Sequence, residues 1–306
     1  MQNSPLARPG IGIALVLVSS VLWGTTGTAA TFAPEVSPIA IGAVALGFGG
    51  LLQAVVAGRG LVRSAPLLVR QWKLVACGGL AVFAYPLAFY SSMHTAGVTI
   101  GTVVSLGSAP VFAALFEWAA DRRVPTRRWL AAAGLGLGGM TVLSLFGGHA
   151  AAGGTGQTAL GVWLGLLAGV SYACYAWAAH RLIGPGVDSR VAMGAIFGCG
   201  GLALIPVLIA TGAPFLASWR TLGVGAYMAL VPMFLGYLAF GFALRHIDAT
   251  TATVLTLSEP VIAAGFAALI VGERLTGGGV VGVVLIGISL ALFALPNRQG
   301  RPAAPE

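Results

Sequence analysis

Residues 108–114 read Ser-Ala-Pro-Val-Phe-Ala-Ala, and residues 258–264 read Ser-Glu-Pro-Val-Ile-Ala-Ala. Each stretch lies inside a long apolar segment and carries a proline at the same place in the pattern. Proline lacks a backbone N–H and weakens the helix around it, so its repetition at one depth of two apolar segments is informative. The pair indicates that the chain consists of two related halves.

Further matches occur in the same order along both halves. They are Gly12, Leu15, Leu17, Val21, Ala29 and Ala30 with Gly161, Leu164, Leu166, Val170, Ala178 and Ala179; Gly42-Ala43 with Gly194-Ala195; Gly49-Gly50-Leu51 with Gly200-Gly201-Leu202; and Leu87-Ala88-Phe89 with Leu238-Ala239-Phe240. Because glycine and alanine are abundant, one identity means little. Ordered matches in four successive pairs of segments indicate a duplication.

The composition places these segments in a membrane. Of 306 residues, 58% are hydrophobic and 8% are charged, whereas about a quarter of a soluble domain is charged. A membrane helix needs about 20 apolar residues, and the chain contains ten segments of that kind. They are residues 11–33, 37–57, 73–93, 96–118, 128–146, 158–180, 191–212, 221–244, 249–271 and 277–295. We predict an all-α integral membrane protein without a soluble domain.

Basic side chains are unequally divided between the connections. With a cytoplasmic amino terminus, fourteen of the 16 Lys and Arg residues face the cytoplasm, and only Arg220 and Arg274 face the other side. This asymmetry follows the positive-inside rule, so we expect both termini in the cytoplasm. It also explains the net charge of +8 better than nucleic-acid binding does. A single lysine, Lys73, beside fifteen arginines hints at a GC-rich bacterial genome.

The two halves, residues 11–146 and residues 158–295, each contain five of the ten predicted helices. Because five is an odd number, the second half enters the membrane upside down relative to the first. Inverted repeats are typical of alternating-access transporters, in which the substrate site lies near the midplane between the repeats. We therefore predict ten transmembrane helices as two inverted five-helix repeats.

Short motifs add a family resemblance. They are Trp23-Gly24 in the first segment, Ser-Ala-Pro in the fourth, Glu259-Pro260 in the ninth, and Gly272-Glu273-Arg274-Leu275 after it. In these features the chain resembles the EamA branch of the drug/metabolite transporter (DMT) superfamily. The resemblance implies an inner-membrane exporter of amino acids or other small metabolites. The first half departs from it, because Asp121-Arg122-Arg123 replaces the Gly-Glu-Arg turn.

Glu259 is the most informative single residue. An ionisable side chain near the middle of a membrane helix costs about 2.5 to 3.5 kcal/mol on insertion scales and indicates a functional role by default. Apolar surroundings favour the neutral carboxyl group, so Glu259 could exchange a proton or meet a substrate ammonium group. Alternatively, a protonated Glu259 donates a hydrogen bond near Pro260 and has only a structural role.

Polar residues and prolines occur at matched depths of the fourth and ninth segments. Interrupted helices at corresponding places in two repeats indicate a binding site, and we predict helix breaks at Pro110 and Pro260. The polar candidates for substrate contact beside them are Ser105, Ser108, Thr256 and Glu259. Bonding of each hydroxyl to a carbonyl of its own helix is the competing interpretation.

Aromatic residues inside the segments are the other candidates for substrate contact. They are Trp23, Tyr85, Phe89, Tyr172, Tyr175 and Tyr237. A buried tyrosine hydroxyl needs a hydrogen-bond partner, which a central cavity would provide, although packing between helices also accounts for any one ring. We predict a midplane cavity lined by segments 1, 3, 4, 6, 8 and 9.

Other kinds of site have weak support. His94, His149, His180 and His246 lie near segment ends without ligand spacing, and Cys77, Cys174 and Cys199 form no CxxC pair. We therefore predict no metal site, no cofactor and no catalytic residue, and interpret the cysteines as small apolar residues. The pattern Gly134-Leu-Gly136-Leu-Gly138-Gly139 lies inside a membrane segment, which excludes a dinucleotide loop.

The fifth and tenth segments have few polar side chains. Their glycines at four-residue spacing, Gly134 with Gly138 and Gly278 with Gly282, favour close helix packing. We place both segments at the periphery, as scaffold or as the surface of a homodimer.

Together these features predict a secondary active exporter of small amphipathic metabolites such as amino acids, working by alternating access with proton coupling. An importer or exchanger of the same build is the first alternative. Two alternatives come from other classes. A membrane-embedded enzyme is favoured if His94 or His246 lies beside a midplane serine, and a non-transporting receptor or scaffold is favoured if the interior is packed without a central cavity.

Overall fold

The computed structural model describes residues 8–146, 157–183, 187–271 and 276–294. Ten apolar helices cross the molecule, and they are α1 (Pro9–Ala30), α2 (Pro38–Arg63), α3 (Trp72–Ala96), α4 (Val98–Asp121), α5 (Arg127–Phe146), α6 (Thr158–Ile183), α7 (Ser189–Thr211), α8 (Trp219–Ala243), α9 (Ala249–Ile270) and α10 (Gly277–Ala294). The first nine are long and apolar enough to span a bilayer, and α10 follows with 18 residues. No strand occurs in these ranges. The predicted all-α membrane fold is confirmed.

Side-chain caps define several helix starts. The Ser37 hydroxyl accepts a hydrogen bond from the Ala40 N–H at the start of α2, where Pro38 occupies the first turn. Asp188 accepts from the Arg190 N–H at the start of α7, and Asp248 accepts from the Thr251 N–H at the start of α9. Such caps satisfy N–H groups that the first turn of a helix leaves free.

The helices differ from the predicted segments mainly at two ends. Helix α1 stops at Ala30, and residues 31–33 form a turn in which the Thr31 hydroxyl bonds to the Thr28 carbonyl. Helix α2 continues to Arg63 across a non-helical Gly58, whose φ of 36° favours glycine. A short helix, Ala65–Arg70, follows between the second and third predicted segments.

Helices pack between the halves in symmetry-related pairs. The repeat relates α1 to α6 and α3 to α8. Helix α3 packs against α6, and α8 packs against α1, so the two contacts are equivalent. Contacts of α4 with α6 and of α1 with α9 are related in the same way, and α2 with α7 and α5 with α10 pair across the centre. This pattern is that of two inverted five-helix repeats.

The matched glycines of α2 and α7 make equivalent close approaches. A Cβ atom at Gly50 would lie 2.2 Å from the Phe197 carbonyl oxygen, and one at Gly201 would lie 2.7 Å from the Gly47 carbonyl oxygen. Small residues allow membrane helices to approach with their backbones in contact. The duplicated Gly-Gly-Leu motif therefore fixes the central crossing of the two halves.

Helices α5 and α10 pack against each other as expected, and Gly278 and Gly282 of α10 lie against Phe146 and Leu143 of α5, but α5 does not use its expected glycines. No atom lies within 4 Å of a Cβ at Gly134 or Gly138, so these two predicted packing positions are wrong. The contact uses Gly139, where a Cβ would lie 2.8 Å from the Gly282 carbonyl oxygen. Ser289 strengthens it by donating to the Ala132 carbonyl at 2.6 Å. The four-residue spacing therefore identified the packed face of α10 but not that of α5.

Two of the cysteines meet across the halves. Cys77 on α3 and Cys174 on α6 place their sulfur atoms 3.2 Å apart, and both are free thiols. Both remain free thiols, but the absence of a CxxC pair gave no sign that they approach each other. The pairing of α3 with α6 brings together cysteines that are far apart in sequence.

Candidate functional site

A small cavity lies near the middle of the bundle, between helices of both halves. Its wall is mostly aromatic, with small residues and one carboxyl group, and consists of Trp23, Thr26, Gly42, Ala45, Leu46, Tyr85, Phe89, Tyr90, Tyr172, Tyr175, Met233, Tyr237 and Glu259. The volume is about 30 Å³, which is room for about two water molecules. A molecule much larger than water does not fit into this space as it stands.

The cavity extends from the middle toward the face that carries the α1–α2 connection. Thr26 lies in the last third of α1, Gly42 lies in the second turn of α2, and Tyr90 lies in the second half of α3. All three positions are on the same side of the midplane. The halves are in contact at the opposite face, where α1 begins, and Arg220 of α8 also lies 3.4 Å from Glu35 of the α1–α2 connection.

Two carboxylates hold the halves together at that opposite face. The buried Glu117 of α4 accepts a hydrogen bond from the Thr250 N–H in the first turn of α9, at 3.1 Å. A carboxylate at this place interacts favourably with the helix dipole. Asp121 of α4 accepts two hydrogen bonds of 2.9 Å from Arg181 of α6. These contacts close the cavity on one side.

The aromatic rings of the wall contact one another. The centroids of Trp23 and Tyr237 are 4.7 Å apart, and Tyr85 stacks on Phe89 at 5.5 Å. Trp23 and Tyr172, which the repeat places at equivalent positions, meet edge to face at 6.4 Å. Edge and offset contacts of this kind add stability beyond area burial and give the wall a defined shape.

Three tyrosine hydroxyls are held in two hydrogen bonds. The Tyr172 hydroxyl donates to the Thr256 hydroxyl oxygen at 3.0 Å, and the Tyr175 and Tyr237 hydroxyls share a bond of 2.7 Å. Both bonds join α6 of the second half to helices of that same half. They fix these rings before any ligand arrives.

Helix α8 changes from α-helical to π-helical geometry between Ala229 and Leu235, around Pro232. The proline disrupts the regular ladder, and the Trp23 indole N–H donates to the Pro232 carbonyl at 3.0 Å. A Cβ at Gly236 would lie 2.6 Å from the same indole nitrogen, so only glycine fits there. The π segment places Trp23 against the cavity, which agrees with the frequent location of such segments at functional sites.

Glu259 lies at the centre of α9, where the helix geometry changes. A 3-10 turn covers Thr256–Ser258, and the α-helix resumes at Glu259. The carboxyl group lines the cavity and has no hydrogen bond or ion pair to any residue of the described ranges. An unpartnered acid in an apolar wall is the most reactive polar feature of the cavity. The Gly272–Leu275 motif after it lies outside the described residues.

Three of the predicted contact residues do not line the cavity. Ser105 is buried in α4, and Ser108 packs against α6, where a Cβ at Gly169 would collide with its hydroxyl oxygen. Thr256 bonds to Tyr172 behind the wall. Helix α4 turns these serines toward α6, so they face a helix interface and not the cavity. The remaining seven candidates are in the wall.

The predicted helix breaks differ between the halves. Pro260 follows the 3-10 turn of α9, so the helix geometry is interrupted beside it. Pro110 lies within the continuous α-helix Val98–Asp121, so the expected break there is wrong. One missing hydrogen bond is tolerated in α4 because neighbouring helices support the segment.

The sequence pattern also misidentified one helix of the wall. Helix α4 contributes no lining residue, whereas α2 contributes Gly42, Ala45 and Leu46. These residues carry no polar or aromatic signal that would have marked them. Tyr90 was detectable, because it follows Phe89 in a segment already assigned to the wall.

The histidines with described contacts lie away from the cavity wall. His246 Nδ1 accepts from the Arg8 N–H at 3.3 Å, and His180 Nδ1 lies 2.9 Å from the Leu244 carbonyl oxygen. Within the described ranges no three His, Cys, Asp or Glu side chains form a metal-binding group.

Comparison with known proteins agrees with this architecture. The profile of the EamA-like transporter family matches twice, at residues 10–145 and 159–295. An uncharacterized transporter, YwfM, of Bacillus subtilis (strain 168) is 28% identical over 94% of this chain and 95% of its own length. A probable terminal-alkyne amino-acid exporter of Streptantibioticus cattleyicolor is 26% identical over 88% of this chain and 94% of its own.

A solved crystal structure has the same fold. It superposes with a TM-score of 0.71 at 19% identity and covers 92% of this chain and 95% of its own. The family profile covers almost all of both halves, and its two matches coincide with the two sets of packed helices. The chain belongs to the EamA-like transporter family, within the drug/metabolite transporter superfamily.

Proposed function

We propose that this protein is a secondary active exporter of small metabolites, such as amino acids or related amphipathic compounds, that works by alternating access. The two repeats, residues 11–146 and 158–295, would move relative to each other around the central cavity. The observation that carries the proposal is the position of the cavity between the repeats, with the unpartnered Glu259 in its wall. A transport pathway needs such a site, accessible in turn from each side.

The proposed orientation places both termini in the cytoplasm of a bacterial cell, with the protein in the inner membrane. The cavity then extends toward the outside, and the contacts of Glu117 and Asp121 close the cytoplasmic side. Opening toward the cytoplasm requires these contacts to break. The S. cattleyicolor relative, named as an exporter, supports the outward direction of transport.

Proton coupling through Glu259 is part of the proposal. The carboxyl group has no cationic partner among the described residues, so its charge depends on protons and on the ligand. A group that exchanges protons with each side in turn links transport to the proton gradient. The wall residues Trp23, Tyr85, Phe89, Tyr172, Tyr175 and Tyr237 would contact the substrate.

The test is uptake of a mixed panel of amino acids and related metabolites into inside-out membrane vesicles, with and without a pH gradient. Wild type is compared with Glu259→Gln, and Asp188→Asn is the control. Asn remains a good helix cap, so the control removes an exposed carboxylate without altering the cavity. We expect gradient-dependent accumulation in wild type and in the control, and none in Glu259→Gln.

Accumulation that requires neither the pH gradient nor the Glu259 carboxyl group would contradict proton coupling. It would still agree with a transport function. Accumulation only in right-side-out vesicles would indicate an importer. No accumulation of any compound in either orientation would contradict the proposed transport function.

A further inference from the structure

The cavity wall contains one acidic side chain and no basic one. Among the residues of its wall, Glu259 is the one acid, and no lysine, arginine or histidine is present. The arginines that form ion pairs between the halves lie outside the wall, because Arg181 bonds to Asp121 at the closed face and Arg220 lies 3.4 Å from Glu35 at the other face. A ligand in this cavity therefore meets a negative group and no positive one.

The polar groups that a ligand can engage are few. The Glu259 carboxyl group and the Tyr85 and Tyr90 hydroxyls line the cavity without a hydrogen bond inside the described ranges. The other tyrosine hydroxyls of the wall are already bonded within the protein. Two neutral hydroxyls and one acid suit a group that donates several hydrogen bonds and carries positive charge.

The aromatic rings of the wall also favour a positively charged ligand. Four rings surround the space near Glu259, with Tyr85 5.8 Å from Tyr172 and 5.8 Å from Tyr175, and Trp23 6.4 Å from Tyr172. An ammonium group within about 6 Å of an aromatic centroid gains roughly 0.5 to 2 kcal/mol from the ring quadrupole, and most when desolvated. The rings also accept an apolar body on the same ligand.

A carboxylate on the ligand has no comparable partner. It would lie in a closed, mostly apolar space beside Glu259, and no cation of the wall would offset its desolvation. Unpaired like charges are a strong means of rejecting a ligand. The cavity distinguishes an amine from the corresponding amino acid by this missing cation.

We propose that the cavity binds a small organic ammonium ion with an apolar or aromatic body and no carboxylate. Glu259 pairs with the ammonium group, and Trp23, Tyr85 and Tyr172 surround it. This inference rests on the proposed transport function and narrows its substrate class, from amphipathic metabolites including amino acids to monocationic amines.

Three ligands with one hydrocarbon body test the inference. Phenylalanine is the zwitterion, phenethylamine is the same molecule without the carboxylate, and 3-phenylpropionate is the same molecule without the ammonium group. Binding is measured by calorimetry on the full chain in lipid nanodiscs. We expect phenethylamine to bind at least about tenfold more tightly than phenylalanine, and 3-phenylpropionate to bind most weakly.

Substitutions of Glu259 test whether its carboxyl group is responsible for phenethylamine binding. Glu259→Gln should reduce phenethylamine affinity by about tenfold or more, and Glu259→Asp should retain most of it. Asp188→Asn should leave it unchanged. Phenylalanine binding as tightly as phenethylamine, absence of phenethylamine binding, or an unchanged affinity in Glu259→Gln would each overturn the inference. If Glu259→Gln does not fold, the relative affinities of wild type for the three ligands still test the proposed ligand class.

Flux of the same ligands in proteoliposomes separates this inference from the proposed function. Phenethylamine that binds in a Glu259-dependent manner but never crosses the membrane would contradict transport and leave the ligand class intact. Transport of phenylalanine without binding or transport of phenethylamine would overturn the ligand class and leave the transporter.

Discussion

At the scale of single residues, the polar groups around the cavity have two different roles. Tyr172, Tyr175 and Tyr237 are satisfied by hydrogen bonds inside the protein, and Trp23 donates to a backbone carbonyl. Glu259 has no such partner in the described part of the chain. The satisfied groups define the shape of the wall, and the unpartnered acid is the group to which we assign the proposed proton exchange and ligand contact.

The Tyr175–Tyr237 bond allows a double-mutant test. Both side chains are buried, so removing one hydroxyl leaves the other unpaired, which costs about 1 to 3 kcal/mol. We expect Tyr175→Phe and Tyr237→Phe each to lower the stability of the purified protein in detergent. The double variant should lose less than the sum of the two. Additive losses in chemical denaturation would show that the two hydroxyls do not interact.

At the scale of helices, glycine position matters more than glycine spacing. Gly50 of α2 lies against the α7 backbone, whereas Gly134 of α5 faces open space. Both belong to rows of glycine in apolar segments, and the sequence favoured Gly134 as a packing residue. A hydropathy pattern in a membrane helix is nearly uniform around its circumference, so it does not identify the buried face.

Two alanine substitutions distinguish these positions. Gly50→Ala places a methyl group 2.2 Å from the Phe197 carbonyl oxygen, so α2 and α7 must separate. We expect a lower melting temperature or loss of monodisperse protein in size-exclusion chromatography. Gly134→Ala fills open space and raises helix propensity, so its melting temperature should equal or exceed that of wild type. Equal melting temperatures for both variants would contradict the described α2–α7 crossing.

At the scale of the whole molecule, the cysteine pair reports on movement between the halves. Cys77 and Cys174 lie on α3 and α6, which belong to different repeats. In alternating access these repeats move relative to each other. A covalent link between them would restrict that movement.

Oxidative cross-linking tests this consequence. Oxidation by copper phenanthroline removes two electrons and two protons from the thiols and forms one disulfide. With a protease site inserted at residues 147–156, cleaved wild type should remain one band without reductant and give two bands with it. Transport should fall on oxidation and recover on reduction, and Cys77→Ser should be insensitive. Separate bands without reductant would contradict the sulfur distance of 3.2 Å.

The sequence predicted the molecule well at the largest scale and less well at smaller ones. Ten apolar segments and their ordered matches define the helices and the repeat, because hydropathy and duplication are properties of long stretches. Aromatic and acidic wall residues were detected because they are unusual inside a membrane. Three features escaped the sequence: α2 and not α4 contributes to the wall, Ser105 faces a helix interface, and Cys77 meets Cys174. All three depend on the rotation of each helix about its axis, which a uniform apolar pattern does not encode.

The unequal helix geometry of the two repeats has a mechanical consequence. Helix α4 is continuous through Pro110, whereas α8 and α9 contain π and 3-10 segments around Pro232 and before Pro260. Such segments bend more easily than a regular α-helix. If the protein works by the proposed alternating access, we expect the two repeats to bend unequally, with the more pliable helix segments of α8 and α9 beside Trp23 and Glu259.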